Sequence, residues 1–341
     1  MPSLQNASAW KEAGLSRSLE MTGALLLALL PCALLSGCGG AAGNSSLPPG
    51  VVAIWGVPGC IDGAFVQPRV IDCLPDGAVF VIDRSGRVQF LDAAGKFLGK
   101  FTLKNIEKGY PTGAAVTPDG RVWIAETHAY RVGVYTRDGA ELFAIGARGE
   151  GDGQFIYPTD VAVSPAGGIY VSDYGGPDRV QEFDPAGRFL RSYGVEGTEP
   201  GQFRRPMSVV VAKDGNWFVA DSCNDRIQKF SPGGQCIGVF GKTGSADGEL
   251  RYPYDLAIAP DGTIYIAEYG NSRVQRMTQD GKFLGTWGRL GSGPDELVHP
   301  WALAIDANNR LFILDTGNSR VVVLDPALAR WSSPAKGQAS A

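Results

Sequence analysis

Six prolines stand at nearly equal intervals, Pro68, Pro111, Pro158, Pro206, Pro253 and Pro300, separated by 43, 47, 48, 47 and 47 residues. Twelve positions after each stands an aromatic residue: Phe80, Trp123, Tyr170, Phe218, Tyr265 and Phe312. Fifteen positions after each stands a carboxylate: Asp83, Glu126, Asp173, Asp221, Glu268 and Asp315. Self-similarity at such a period means that one supersecondary unit is built repeatedly and buries its faces only against its neighbours.

The unit reads as strands. An apolar stretch such as Leu256-Ala257-Ile258-Ala259 runs into an Asp261-Gly262 turn and returns as Ile264-Tyr265-Ile266-Ala267, an antiparallel hairpin. Successive strand residues face opposite sides, and here both sides are apolar, so the sheet must be covered on both faces. A third strand follows the carboxylate (Arg131-Val132, Arg179-Val180, Arg226-Ile227, Arg273-Val274, Arg320-Val321), and a fourth follows a second turn, as in Lys282 to Trp287. Gly (47) and Pro (22) supply the turns and leave little room for long helices. Four antiparallel strands per unit, six units and two buried faces predict an all-β, six-bladed β-propeller. The sixth unit ends after its third strand, Val321 to Leu324, while Val51 to Gly56 has the pattern of a fourth. The N-terminal strand is therefore expected to complete the last blade and close the ring.

Ahead of the repeats, Ala24 to Leu35 form an apolar run of 12 residues, too short to span a bilayer and suited to the core of a signal peptide. Leu35-Ser36-Gly37-Cys38 follows and resembles a bacterial lipobox, which implies lipid attachment at Cys38 and anchoring without a spanning helix. The expected organisation is a lipoprotein signal peptide at 1–37, a flexible linker at 38–50, the propeller at 51–327 and a C-terminal tail at 328–341. The expected location is outside the cytoplasm, anchored to the bacterial membrane. An exported chain can oxidise Cys60, Cys73, Cys223 and Cys236, with no pairing specified. Cys236 stands where other units have Phe97, Phe189 and Phe283, which favours a buried thiol.

With Asp221-x-x-Asn224-x-Arg226, Glu268-x-x-Asn271-x-Arg273 and Asp315-x-x-Asn318-x-Arg320, preceded by Gly-Gln/Glu-Phe/Leu-x-x-Pro in which the sixth unit has Asp295 for the Gly, the chain resembles the NHL-repeat family of six-bladed propellers. The first unit departs, because Asp83 to Arg87 is too short to hold the Asn, and the third has Tyr174-Gly175-Gly176-Pro177-Asp178 there. The family includes a peptide-amidating lyase with a zinc site of several histidines. Two histidines in 341 residues do not match it. Other relatives bind RNA on a basic face, but a formal charge of −4 gives no basic excess, so no nucleic-acid partner is expected.

The repeated carboxylates are expected to pin loops through the arginines that follow them, since a feature of every blade builds blades. What varies is the residues flanking each proline. Gln67, Tyr110, Tyr157, Arg205, Tyr252 and His299 precede it, and Arg69, Thr112, Thr159, Met207, Tyr254 and Trp301 follow. From this rim Tyr157, Arg205, Tyr252, Tyr254, His299 and Trp301 are taken as the ligand-binding candidates, aromatic and arginine side chains being enriched at binding hot spots. The expected partner is a protein, a peptide or a cell-envelope ligand, with the membrane reached through the lipid only. The alternative is a metal-dependent lyase or hydrolase, in which Asp160 beside Asp173, Asp255 beside Glu268, and His128 or His299 hold a divalent cation in the channel. No other cofactor and no catalytic residue is expected.

Overall fold

The computed structural model describes residues 47–104, 106 and 109–332. The segment expected to be a signal peptide, and Cys38, lie outside the described residues. Twenty-four strands form six four-stranded antiparallel sheets. Within each, the strand after the proline is innermost and lines the central channel. In blade five the order from the axis is Pro253–Ile258, Ile264–Glu268, Arg273–Met277 and Phe283–Trp287. Blade six is composite. Its outer strand is Val51–Trp55, antiparallel to Arg320–Leu324, with Val51 opposite Leu324 and Trp55 opposite Val321. The ring closes as the repeat pattern requires.

Hydrophobic burial is concentrated between blades. Six apolar clusters each fill the space between two neighbours, and each repeated aromatic belongs to one of them. Trp123 of blade two packs with Phe155, Ile169 and Phe183 of blade three, and Phe312 of blade six with Val79 and Val81 of blade one. A large ring on one face and aliphatics on the other let each sheet serve two such cores. The chain passes between blades through tight loops. At Gly146 and Gly194, φ is +90° and +82°, and a Cβ would come within 2.3 Å of the Phe155 and Phe203 rings, so only glycine fits.

Residues past the last blade strand continue onto blade five. Trp331 packs against Tyr265 (5.6 Å between rings), the Arg276 guanidinium lies 4.4 Å from the Trp331 ring, and the Ser332 amide donates to Thr286 O at 2.9 Å. The four described cysteines are free, and Cys236 is half-buried. Among the described residues no helix is long and apolar enough to cross a membrane.

Candidate functional site: the channel mouth

The repeated carboxylates build the rim of the ring. Asp221 is fully buried; its Oδ1 accepts the Arg204 amide (2.7 Å), and its Oδ2 accepts Asn224 Nδ2 (2.9 Å), Arg226 Nε (2.7 Å) and Gln228 Nε2 (3.1 Å). Arg226 in turn donates to the carbonyls of Thr198, Glu199 and Gln202. Blades five and six repeat this with Glu268–Arg273 and Asp315–Arg320. Blade one reaches the same end differently, pairing Asp83 with Arg87 four residues on at 2.5 Å. Blade three is looser. Asp173 and Arg179 stand 3.7 Å apart, Asp173 Oδ2 and Arg179 Nε have no hydrogen-bond partner among the described residues, and burial pushes Asp173 up to about 7. Apart from Asp173 Oδ2, the oxygens described here are taken by backbone amides and side chains of their own blade, which fits a structural role.

The expected pairs Asp160–Asp173 and Asp255–Glu268 do not form. The register shifts between Pro158 and Asp160 and between Pro253 and Asp255. This bulge turns Asp160 and Asp255 into the channel, where Asp72 joins them. The inner strand of each blade is a sheet edge with unpaired amides facing the axis. Each channel aspartate covers one amide of the next blade: Asp72 Oδ2 accepts Val116 N–H (3.1 Å), Asp160 that of Val209 (3.0 Å) and Asp255 that of Leu303 (2.7 Å). Blades one, three and five therefore each clasp the blade that follows. Burial, with Asp255 nearby, raises Asp72 to about 7 and raises Asp160. Burial raises Asp255 to about 6.

The same alternation appears at the position after the repeated carboxylate. Blades two, four and six carry small hydroxyls there, Thr127, Ser222 and Thr316. Thr316 Oγ1 donates to Pro68 O (2.6 Å), Ser222 Oγ donates to Pro253 O, and Thr127 meets Thr112. Blades one, three and five carry Arg84, Tyr174 and Tyr269 instead. These three large side chains, together with the residues flanking the prolines, make a belt around the channel mouth. Arg84 lies over Tyr110 (4.9 Å), and Arg69 lies between Tyr110 (5.8 Å) and Trp301 (4.4 Å). Trp301 meets Tyr254 edge-on (4.8 Å), and Arg205 spans Tyr254 (5.8 Å) and Tyr174 (5.1 Å). Tyr174 then meets Tyr157 (5.1 Å), and Tyr157 meets His128 (5.6 Å). Gly109, beside Tyr110, closes the belt: a Cβ there would come within 2.2 Å of His128 Nδ1. His299 attaches from outside by stacking on Tyr269, which stacks on Tyr254.

Inside the belt is a cavity of about 370 Å³, lined among others by Arg69, Arg84, His128, Tyr174, Arg205 and Trp301. It shares Thr112, Met207 and Trp301 with the channel below, a further cavity of about 280 Å³. Among the described residues, no carboxylate lies within ion-pair distance of Arg69, Arg84 or Arg205. The buried nitrogens Arg69 Nε, Arg205 Nε and His128 Nδ1 likewise have no hydrogen-bond partner among them. Burial and then the Arg84 cation hold Arg69 below the ordinary arginine range, and burial and then Arg69 do the same to His128.

Of the six candidates, Tyr157, Arg205, Tyr254, His299 and Trp301 thus enter one connected arrangement. Tyr252 does not. It is 41 % exposed, its amide donates to Asp225, and its carbonyl accepts from Tyr269. Arg84, Tyr174 and Tyr269 went unread, although the large–small alternation was present in the sequence. The metal arrangement finds no donor set. His128 and His299 sit in separate aromatic contacts, and among the described residues no three His, Cys, Asp or Glu side chains gather.

The NHL repeat matches three stretches, residues 109–135, 250–277 and 297–324. Three NHL repeats are therefore present. They fall in blades two, five and six and carry Glu126–Arg131, Glu268–Arg273 and Asp315–Arg320, the ion pairs that build the rim. Rat peptidylglycine α-amidating monooxygenase is 31 % identical over 142 residues, 40 % of this chain and 14 % of that protein. The Drosophila melanogaster protein brain tumor is 29 % identical over 98 residues, 28 % of this chain and 10 % of its own length. The chain thus spans a seventh or less of the length of these relatives. Among solved structures, a streptogramin B lyase superposes with a TM-score of 0.58 at 14 % identity, covering 80 % of this chain and 97 % of its own. The Staphylococcus aureus virginiamycin B lyase bound to quinupristin gives 0.57 at 18 %, covering 80 % and 85 %. At such identities they share the fold. The matched stretches carry the ion pairs of the rim, whereas the belt residues differ from blade to blade of this chain.

Proposed function

We propose that this propeller is a binding module that takes a protein, peptide or cell-envelope ligand at the proline-side mouth of its channel, and that it is held outside the cytoplasm by lipid on Cys38. The observation that carries the reading is the belt, which brings arginine and aromatic side chains from five blades onto one cavity and joins them through Tyr254 of the fifth blade, which lines the channel below. A feature assembled once from unlike residues suits a single ligand, whereas the repeated carboxylates serve the blades. The anchor rests on the Leu35 to Cys38 sequence after its apolar run.

Capture of partners by the exported protein tests the site. Trp301→Ala, Arg205→Ala and Tyr157→Ala are expected to lose partners that the parent chain retains, with Tyr252→Ala reporting on the outer rim alone. Equal capture by all four variants contradicts the assignment. Cys38→Ser is expected to move the protein from the membrane fraction to the soluble one.

A further inference from the structure

We propose that the ligand enters the mouth with an oxyanion, a carboxylate or phosphate group, seated against Arg69, Arg84 and Arg205, with its body against the Trp301–Tyr254 edge. This rests on the mouth being the ligand site and adds what the ligand must carry there.

Three observations converge. The three guanidinium groups lie over ring faces, an arrangement that occupies their planes; Arg84 spends one in-plane N–H on Gln67 Oε1, while Arg69 and Arg205 have no acceptor for their in-plane N–H groups among the described residues. Nε of both Arg69 and Arg205 is buried without an acceptor among the described residues, and a buried donor left unmade is costly until something fills it. The cations also stand near one another with no carboxylate in ion-pair reach among the described residues. The channel aspartates do not serve, since each is committed to an amide of the neighbouring blade. Planar guanidinium groups present forks that match carboxylate and phosphate geometry. The cavity, at about 370 Å³, falls in the range that holds a small organic group. A neutral peptide segment would leave the cations uncompensated, and a cationic one would add to their repulsion.

The experiment uses the purified exported chain and three probes of one shape: phenyl phosphate, phenylacetate and the neutral phenylacetamide. Binding is followed by ligand-observed NMR with melting temperature as a second readout. Saturable binding of either anion is expected, weakened by added salt and by about tenfold or more in Arg205→Gln and Arg69→Gln. Phenylacetamide is expected not to bind. The variants should keep the parent's β-sheet circular dichroism, and Arg69→Lys, which keeps charge but not the fork, should fall between. If phenylacetamide binds as well as phenylacetate, or if neither anion binds while Trp301→Ala still abolishes partner capture, the oxyanion inference is wrong and the mouth remains the site. If Trp301→Ala and Arg205→Ala leave partner capture untouched, the site assignment itself is wrong.

Discussion

Blade four holds two arginines with opposite lives. Arg226 is heavily engaged: one buried carboxylate and three loop carbonyls take four of its five N–H donors, and the loop at residues 198–202 is held in place by it. Arg205, at the entrance to the inner strand, has two tyrosine faces and a buried Nε with no acceptor among the described residues. The first recurs from blade to blade because every blade needs its loop pinned. The second occurs once, and its neighbours Arg69 and Arg84 reach the mouth from different repeat positions. An arginine that organises its own fold consumes its donors. One reserved for something else keeps them.

The sharpest way to break this contrast is to make Arg226 resemble Arg205. Asp221→Ala removes its carboxylate and strands Asn224 and Gln228 with it, so a loss of about 3–5 kcal/mol is expected, read as a lower urea midpoint at unchanged slope. A loss below about 1 kcal/mol would mean that the repeated pair contributes little.

A smaller effect of opposite sign should come from the channel aspartates, which, like the mouth arginines, have no oppositely charged partner in ion-pair reach among the described residues. Their folded values are raised, Asp72 to about 7 and Asp255 to about 6. The stability tied to their protonated forms is therefore present in acid and lost as pH rises through that window. Asp72→Asn keeps an acceptor for the Val116 amide without a charge. It is expected to stabilise the ring by about 1–2 kcal/mol near pH 8 and by nearly nothing near pH 4, seen as flattened melting temperature against pH. Destabilisation near pH 8 with none near pH 4 would mean that the carboxylate is needed in its charged form.

The mildest test concerns Arg276, which also stacks and also has a buried Nε without a partner among the described residues, but on the perimeter, where the chain's own Trp331 covers it. Trp331→Ala should cost about 1 kcal/mol in a thermal melt through lost packing and cation–π contact, without changing the anion binding proposed for the mouth.

Much of this was legible in the sequence, and the reasons are physical. Period and alternation dictate strands, two apolar faces dictate stacking, and the displaced fourth strand at Val51–Trp55 dictates closure. The Asp-x-x-Asn-x-Arg spacing told its role because each partner lies within one turn of chain. The channel aspartates were misplaced because a bulge after Pro158 and Pro253 changes which side Asp160 and Asp255 face, and a one-residue register change is invisible to alternation. Arg84 and Tyr174 were missed because they sit where blades one and three break the repeat. Those breaks cost the pattern its regularity and, in blade three, leave Asp173 and Arg179 imperfectly paired. Departures from local consistency mark positions that do something other than fold.

The most direct measurement is urea unfolding of Arg205→Gln and Arg226→Gln side by side with the parent chain. Arg226→Gln is expected to lose on the order of 3 kcal/mol, while Arg205→Gln stays within about 0.5 kcal/mol or gains. If Arg205→Gln loses as much as Arg226→Gln, the mouth arginine belongs to the scaffold and no ligand is needed to explain it.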